Sequence, residues 1–306
     1  MAISAKDVME LRKQTDCGMM ECKKALTEAD GNFEKAIEIL RERGLATAAK
    51  KAGRIAAEGM VYADYCPECK VGVVIEVNAE TDFVAKNDKF VDFVKKATKV
   101  IMEQNPADVE ALMNCKMGDE TVDQALKELI LVIKENIKVR RFTRYEGVCS
   151  AYVHGGGTHG ILVNFETTND IDTKDEFVAY GKDIAMQVAA ANPSYVDEAS
   201  VPAEVVAKEK EIMLVQMAGD PKTANKPEAV KQKMIEGKIK KFFKESCLVD
   251  QEFVKDGDLT VAQYTAKVAK DLGGDIKIVK FARFQKGEGL EKRADDFASE
   301  VASMVK

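Results

Sequence analysis

The chain has 306 residues, enough for two or three folded units with cores of their own, and is no peptide scaffold. Hydrophobic residues make up 46% and charged residues 32%; 46 basic against 52 acidic side chains give a net charge of -6 and a pI near 5.3, which argues against a general DNA or RNA binder while leaving room for a local basic patch. The opening Met-Ala-Ile-Ser-Ala-Lys-Asp lacks the features of a signal peptide, and no apolar run approaches the ~20 residues that span a bilayer, so a soluble cytoplasmic protein without a membrane partner is expected.

Seven scattered cysteines (Cys17, Cys22, Cys66, Cys69, Cys115, Cys149, Cys247) fit reduced thiols better than a disulfide framework. From the N-terminus, Val8 and Leu11 start a short helix that stops near Thr15-Asp16-Cys17-Gly18. Met19 to Leu26 reads as a second helix, and Asn32 caps a third carrying Phe33, Ala36, Ile37 and Leu40 at helical spacing. Gly44 is read as the stop of that helix, and Ala46 to Ala57 as a helical connector. Residues 1–53 thus form a three-helix bundle that resembles the ubiquitin-associated domain, a protein-recognition module.

The middle of the chain repeats itself. Glu58-Gly59 aligns with Glu146-Gly147, Gly72 with Gly160, Phe90-Val91 with Phe177-Val178, and Asn105-Pro106 with Asn192-Pro193. Each half reads as strand, turn, strand, loop, helix, with an apolar second strand at Val73 to Val77 and at Ile161 to Phe165. The fold class is therefore α+β by duplication, with one core half over 54–140 and the other over 141–200 and 244–288. The strand-to-helix loop of the first half holds Thr81, Asp82, Phe83, Val84, Lys86 and Asn87, where the second half has Thr167-Thr168-Asn169-Asp170-Ile171-Asp172. Phe83, an aromatic among polar neighbours, either plugs a local core or is offered to a partner.

Residues 201–243 interrupt the second half. Pro202 suits a helix start, Val205, Ile212 and Val215 make a seam, Gly219-Asp220-Pro221 breaks it, and after Pro227 a second helix carries Val230, Met234, Ile235, Ile239 and Phe242. The pair reads as an inserted antiparallel helical hairpin projecting as a coiled coil. A helix over Val261 to Leu272 and a closing strand over Ile276 to Phe284 follow. Residues 289–306 read as a C-terminal amphipathic helix with Phe297, Val301 and Met304 on one side.

Little of this invites covalent chemistry. Gly155-Gly156-Gly157-Thr158-His159-Gly160 has the letters of a dinucleotide motif but leads into a strand rather than a helix, so it reads as a hairpin loop, and no phosphate-binding loop motif is present; direct nucleotide binding is not expected. Cys66-Pro67-Glu68-Cys69 reads first as two reduced turn cysteines and second as a disulfide or an adventitious metal site, so no metal and no cofactor are assigned. His154 and His159 have no nucleophile that the sequence can assign to them. Lys231, Lys233, Lys238, Lys240, Lys241 and Lys244 read as a solvated face before an RNA contact. Of the adjacent Met19 and Met20, one is expected to be exposed beside Arg12 and Lys23, as an adaptable protein contact or a half-covered loop methionine.

Taken in order, Leu11-Arg12 to Thr15, Gly18-Met19-Met20 with Cys22 to Leu26, Val77-Asn78 with Thr81 to Lys86, His154-Gly155, Ile184-Ala185-Met186 with Val188-Ala189-Ala190, Met234 to Gly237 with Lys240-Lys241-Phe242, and Gly287-Glu288-Gly289 resemble the bacterial elongation factor Ts family. The resemblance implies a guanine-nucleotide exchange factor of translation, not an enzyme of covalent chemistry, whose partner is the GTPase elongation factor Tu. It implies that the loop of Thr81, Asp82, Phe83, Val84, Lys86 and Asn87 enters the GTPase near its magnesium site and promotes GDP release. It also implies that Arg12, Met19, Met20 and Lys23 contact the same domain and that His154 contacts the third. A homodimer or heterotetramer stays open. Asp16-Cys17, the Cys66/Cys69 pair and the long hairpin loop at 219–227 depart from the family pattern.

Overall fold

A computed structural model describes residues 3–15, 17–223 and 226–291. Three helices come first: α1 (Ala5–Thr15), α2 (Met19–Glu28) and α3 (Phe33–Lys51). Val8 and Leu11, Cys22, Ala25 and Leu26, and Ala36 and Leu40 form their shared core. Asn32 caps α3, its side-chain oxygen accepting the Lys35 N–H at 3.0 Å. Gly44 does not stop this helix, and the connector expected from residue 46 is its continuation as far as Lys51. A Cβ on Gly44 would lie 3.3 Å from the carbonyl oxygen of Lys127, so the residue serves a close crossing with a core helix instead.

The first half of the core consists of β1 (Glu58–Cys66), β2 (Val71–Ala79), a 3-10 turn (Val84–Lys86), α4 (Asp88–Gln104), α5 (Val109–Asn114), the short pair β3 (Lys116–Met117) and β4 (Glu120–Thr121), α6 (Val122–Ile133) and β5 (Lys138–Glu146). The second contains β6 (Val148–His154), β7 (His159–Thr167), a 3-10 turn (Ile171–Thr173), α7 (Asp175–Ala191), and, after the inserted helices α8 (Ala203–Gly219) and α9 (Glu228–Ser246), β8 (Glu252–Phe253), β9 (Asp256–Thr260), α10 (Val261–Leu272) and β10 (Ile276–Gln285). Strand order is β1-β2-β5 in one sheet and β10-β7-β6 in the other, antiparallel throughout, which makes the class α+β.

Each sheet carries helices on its outer face and meets the other sheet on its inner face. Val73, Ile75 and Val77 of β2 pack with Phe90, Val94 and Ile101 of α4; Ile161, Val163 and Phe165 of β7 pack with Phe177, Tyr180 and Ile184 of α7. Between the sheets lie Val61, Ala63, Val74, Cys149, Leu162 and Phe284. A strand covered on both sides has no use for polar alternation, which is why β2 reads as an almost continuous apolar run. Contact is close at the two repeated glycines. A Cβ on Gly72 would sit 2.5 Å from Leu162 Cδ1, and one on Gly160 would sit 2.4 Å from Val61 Cγ1. The repeated Asn105 and Asn192 end their helices in the same left-handed conformation, φ 47° and ψ 54° in both.

Three readings need correction. Residue 140, where the sequence places the division between the halves, falls inside β5, whose hydrogen bonds run to β2 in the first sheet. The strand escapes notice because arginines occupy positions that an apolar pattern would need. In the inserted pair, the buried residues are Met213 and Met217 on α8 against Ile235 and Ile239 on α9, with Val206 beside them, while Ile212 and Val215 are exposed. The seam lies one residue on from the expected one at Val206 and Met213 and two on at Met217, where methionines fill it. Cys66 and Cys69 are joined in a disulfide, the second of the two readings offered by the sequence. Of the expected C-terminal helix, residues 292–306, including Phe297, Val301 and Met304, lie outside the described residues, as do Asp16 and hairpin-loop residues Ala224 and Asn225.

Glu76 fastens the two halves. Fully buried on the inner face of β2, it accepts from Arg140 Nη1 at 3.0 Å, Arg141 Nε at 2.6 Å, Asn78 Nδ2 at 3.1 Å and the Gly287 N–H at 2.8 Å. Burial pushes its carboxyl pKa up, but the Gly287 N–H, the Asn78 amide and the two guanidinium groups together outweigh burial and hold it below the usual carboxylate value. Stability from a depressed carboxylate is present above its unfolded pKa and lost as pH falls through the folded one. Glu76→Gln should cost about 1–3 kcal/mol of unfolding free energy near neutrality by taking the charged acceptor from two part-buried arginines, of which Arg141 keeps its pair with Glu288. Urea titrations repeated down to about pH 3 should show the wild type converging on the variant.

Candidate functional site

The loop between β2 and α4 is built on a fixed base. The Thr81 N–H and hydroxyl donate to the two carboxylate oxygens of Glu135 at 2.9 and 2.7 Å, and the Asn136 N–H donates to Glu80 at 2.6 Å. Arg54 pairs with Glu80 at 3.5 Å, and its carbonyl accepts from the Asn136 amide at 2.7 Å. Val84, the first residue of the 3-10 turn, is buried in the first core. At the other end Asn87 caps α4, its side-chain oxygen taking the Lys89 N–H at 3.0 Å, so that group is committed to the fold.

Between these anchors Asp82 and Phe83 point away from the core. Phe83 has ordinary helical backbone angles, φ -61° and ψ -34°, its carbonyl accepts the Lys86 N–H at 3.1 Å, and its residue exposure is 77%. The local plug is Val84, and the aromatic ring is presented to solvent. Lys86 is exposed on the same turn. A large apolar side chain on such a base is available for contact, and burying a phenylalanine is worth about 1.5–3 kcal/mol.

Arg12, Met19, Met20 and Lys23 are exposed on α1 and the start of α2, so both methionines, not one, face solvent. Met9 joins them, 54% exposed. Sequence reading passed it over although Val8 and Leu11 define the buried side of α1, which leaves Met9 off it. This unit is held against α6 by Leu131 in its core and by an Arg41–Glu128 pair at 3.1 Å. Thr15 at the end of α1 and Lys89 in the first turn of α4 line one cleft of about 470 Å³ floored by Phe93, Val100, Leu129 and Val132. The α1–α2 turn is thereby placed on the side of the core from which α4 and its preceding loop start.

His154 stands apart from both groups, exposed at the end of β6 in the other sheet. Its Nδ1 lies 3.0 Å from the Tyr152 hydroxyl, and its ring faces that of His159, its partner across the hairpin, at 6.2 Å between centroids. Burial, with the Arg283 guanidinium second, pushes the His159 imidazole below its ordinary pKa. Gly155, Gly156 and Gly157 make the turn with φ of +58°, +64° and +102°. Its tip is tied to the first sheet by the Val61 N–H, which donates to the Gly157 carbonyl at 2.8 Å. Among the described residues no group of three or more His, Cys, Asp or Glu side chains is placed to hold a metal ion, and no helix is long and apolar enough to cross a membrane.

Glu135 and Glu80 are what the sequence did not reveal. Glu135 lies 54 positions from the threonine it holds, and nothing in its local pattern marks it.

A family model described as Elongation factor TS matches residues 80–288. The chain is 47% identical to the Elongation factor Ts of Clostridium perfringens (strain 13 / Type A), with 99% of both chains covered, and 48% identical to that of Syntrophotalea carbinolica, with 100% of both covered. It is 46% identical to that of Clostridium acetobutylicum, over 99% of this chain and 98% of the relative.

The geometry of the loop separates two neighbouring side chains. Phe83→Ala should change the unfolding free energy by less than about 0.5 kcal/mol, as an exposed substitution does. Val84→Ala should cost about 1–3 kcal/mol through lost burial and the cavity left behind. Parallel urea denaturation of the two variants measures both.

Proposed function

The chain belongs to the elongation factor TS family, and from that premise we propose that it is a guanine-nucleotide exchange factor of translation elongation that binds the GDP form of elongation factor Tu in the cytoplasm. The observation that carries the mechanism is Phe83, 77% exposed between anchors that hold its backbone still. Asp82 and Phe83 enter the GTPase beside its magnesium and phosphate site, with Thr81, Val84, Lys86 and Asn87 shaping the loop that presents them. Arg12, Met19, Met20 and Lys23, on a module of the ubiquitin-associated type over 1–53, contact the same domain. His154, on the second core half, contacts the third domain.

The chemistry is one of linked binding. An aromatic inserted near the nucleotide site favours a partner conformation in which magnesium and phosphate are held poorly, so GDP affinity falls by the factor by which GDP weakens the complex. GTP then binds and ejects the exchange factor by the same reciprocity. No bond in the nucleotide is made or broken. The inserted hairpin over 201–243, read as a coiled coil, and the C-terminal module over 289–306 complete the layout of this reading.

A loop already held in its binding shape loses little conformational entropy on docking. Stopped-flow release of fluorescent GDP from elongation factor Tu tests the proposal: the wild-type chain should accelerate release, and Phe83→Ala should lower the second-order rate at least about tenfold, equivalent to about 1.4 kcal/mol. No acceleration by the folded wild type would sink it. Thr81→Val, which removes one hydrogen bond from the base, should give a smaller loss in the same assay.

A further inference from the structure

The exchange function leaves the Cys66-Pro67-Glu68-Cys69 turn unused. It forms the tip of the β1–β2 hairpin: Cys66 is the last residue of β1, Val71 is the first of β2, and Pro67, Glu68, Cys69 and Lys70 are all exposed. The two sulfurs are bonded to one another, with Cα atoms 5.5 Å apart.

Three features of this turn suit a second state. Two cysteines separated by two residues have the spacing of half a structural zinc site. The Cys69 backbone N–H lies 3.2 Å from Cys66 Sγ, and a hydrogen bond of that kind favours a thiolate, the form that ligates metal. Lys70 takes a left-handed conformation, φ +48°, which folds the chain back into β2 directly after the second cysteine and keeps the pair at the tip. The rest of the turn is anchored independently of the sulfurs, through the Gly147 N–H on the Lys70 carbonyl at 2.8 Å and the Lys70–Asp172 ion pair at 3.1 Å.

Among the described residues of one chain the ligand set stops at two, whereas a closed zinc site takes four. Two such tips supply four, with Cys69 exposed and Cys66 half-buried at the margin of the first core. We propose that, once reduced, the Cys66/Cys69 turns of two copies of this chain close on one Zn²⁺, forming a four-thiolate site that bridges a dimer.

Reduction needs a monothiol or an equivalent two-electron reductant. A thiolate RS⁻ attacks the sulfur of Cys69, the more exposed residue of the pair, and Cys66 leaves as a thiolate; a second RS⁻ then releases Cys69, giving RSSR and two protein thiols. Four thiols from two chains bind one Zn²⁺ and release four protons, so the bridge tightens as pH rises. The site then carries a charge of -2. A disulfide has no thiolate to offer, so oxidation and metal bridging exclude one another.

The test uses the full chain, reduced with a phosphine, desalted without oxygen and titrated with Zn²⁺ alone. Expected are one Zn²⁺ per two chains by elemental analysis, a doubling of mass in sedimentation that chelation reverses, and, with Co²⁺ in place of Zn²⁺, the visible absorption of a tetrahedral tetrathiolate. Cys69→Ser, at an exposed position, should abolish uptake and doubling while leaving far-ultraviolet circular dichroism unchanged. Failure of the reduced chain to take up metal, one Zn²⁺ per chain without doubling, or doubling that persists in Cys66→Ser/Cys69→Ser would each overturn the proposal.

Discussion

At Gly72 and Gly160 two sheets meet where neither has a side chain. Side chains of packed sheets ordinarily hold the layers about 10 Å apart, yet here Leu162 and Val61 reach into the space that a Cβ on the facing glycine would fill. The small residues Ala63 and Ala151 keep the same layer thin. With their inner faces used in this way, β2 and β7 can bury their other faces only beneath α4 and α7. The helix–sheet–sheet–helix order follows from that single contact, and the loops that lead from strand to helix are carried to the outside of the molecule.

Close packing alone would let the layers slide, since apolar contact has no direction. The Glu76 cluster supplies direction. Arg140 and Arg141 from β5 and the Gly287 N–H from beyond β10 converge on one carboxylate, and Arg140 also donates to the Glu288 carbonyl at 2.6 Å. An ion pair from Lys286 to Glu58 adds a second tie between the same segments. The end of the second half is thereby fixed to the sheet whose strand β2 leads to Phe83. The multi-point grip proposed above would depend on such stiffness, because strain reaches a distant site only when the grips cannot yield separately.

Much of this was legible in the sequence where one residue type answers to one local constraint. Asn32 marked a helix start, the repeated Asn-Pro pairs marked the duplication, and α10 begins and stops where Val261 and Leu272 suggested. Legibility failed where a distant partner decides. Gly44 has the appearance of a stop until Lys127 arrives beside it, and β5 has no apolar pattern until Glu76 accounts for its arginines. The loop itself was conspicuous because it is where two matching halves diverge, but the direction of the ring depended on whether residue 83 or 84 fills the core, a difference of one position that spacing does not resolve. Glu135, which holds the base, was out of reach for the same reason as Arg140.

The divergence between the halves also has a geometric cause. Val84 and Ile171 both begin a 3-10 turn and are both buried, and the residues that follow each turn, Asn87 and Lys174, have similar angles, φ -79° and -84°. Upstream, Gly72 and Gly160 are equally well matched, so the first half must fit one extra residue between strand and turn. The second half makes its shorter connection with Asn169 and Asp170 in left-handed conformations, φ +58° and +50°, which a phenylalanine would adopt only with strain. In the first half the added residue relieves that demand, and Phe83 rests in a helical conformation open to any side chain. The fold thus permits an aromatic here without requiring one, and leaving it in water gives the isolated chain nothing. The partner contact proposed above supplies a reason for its presence, and packing within the chain supplies none.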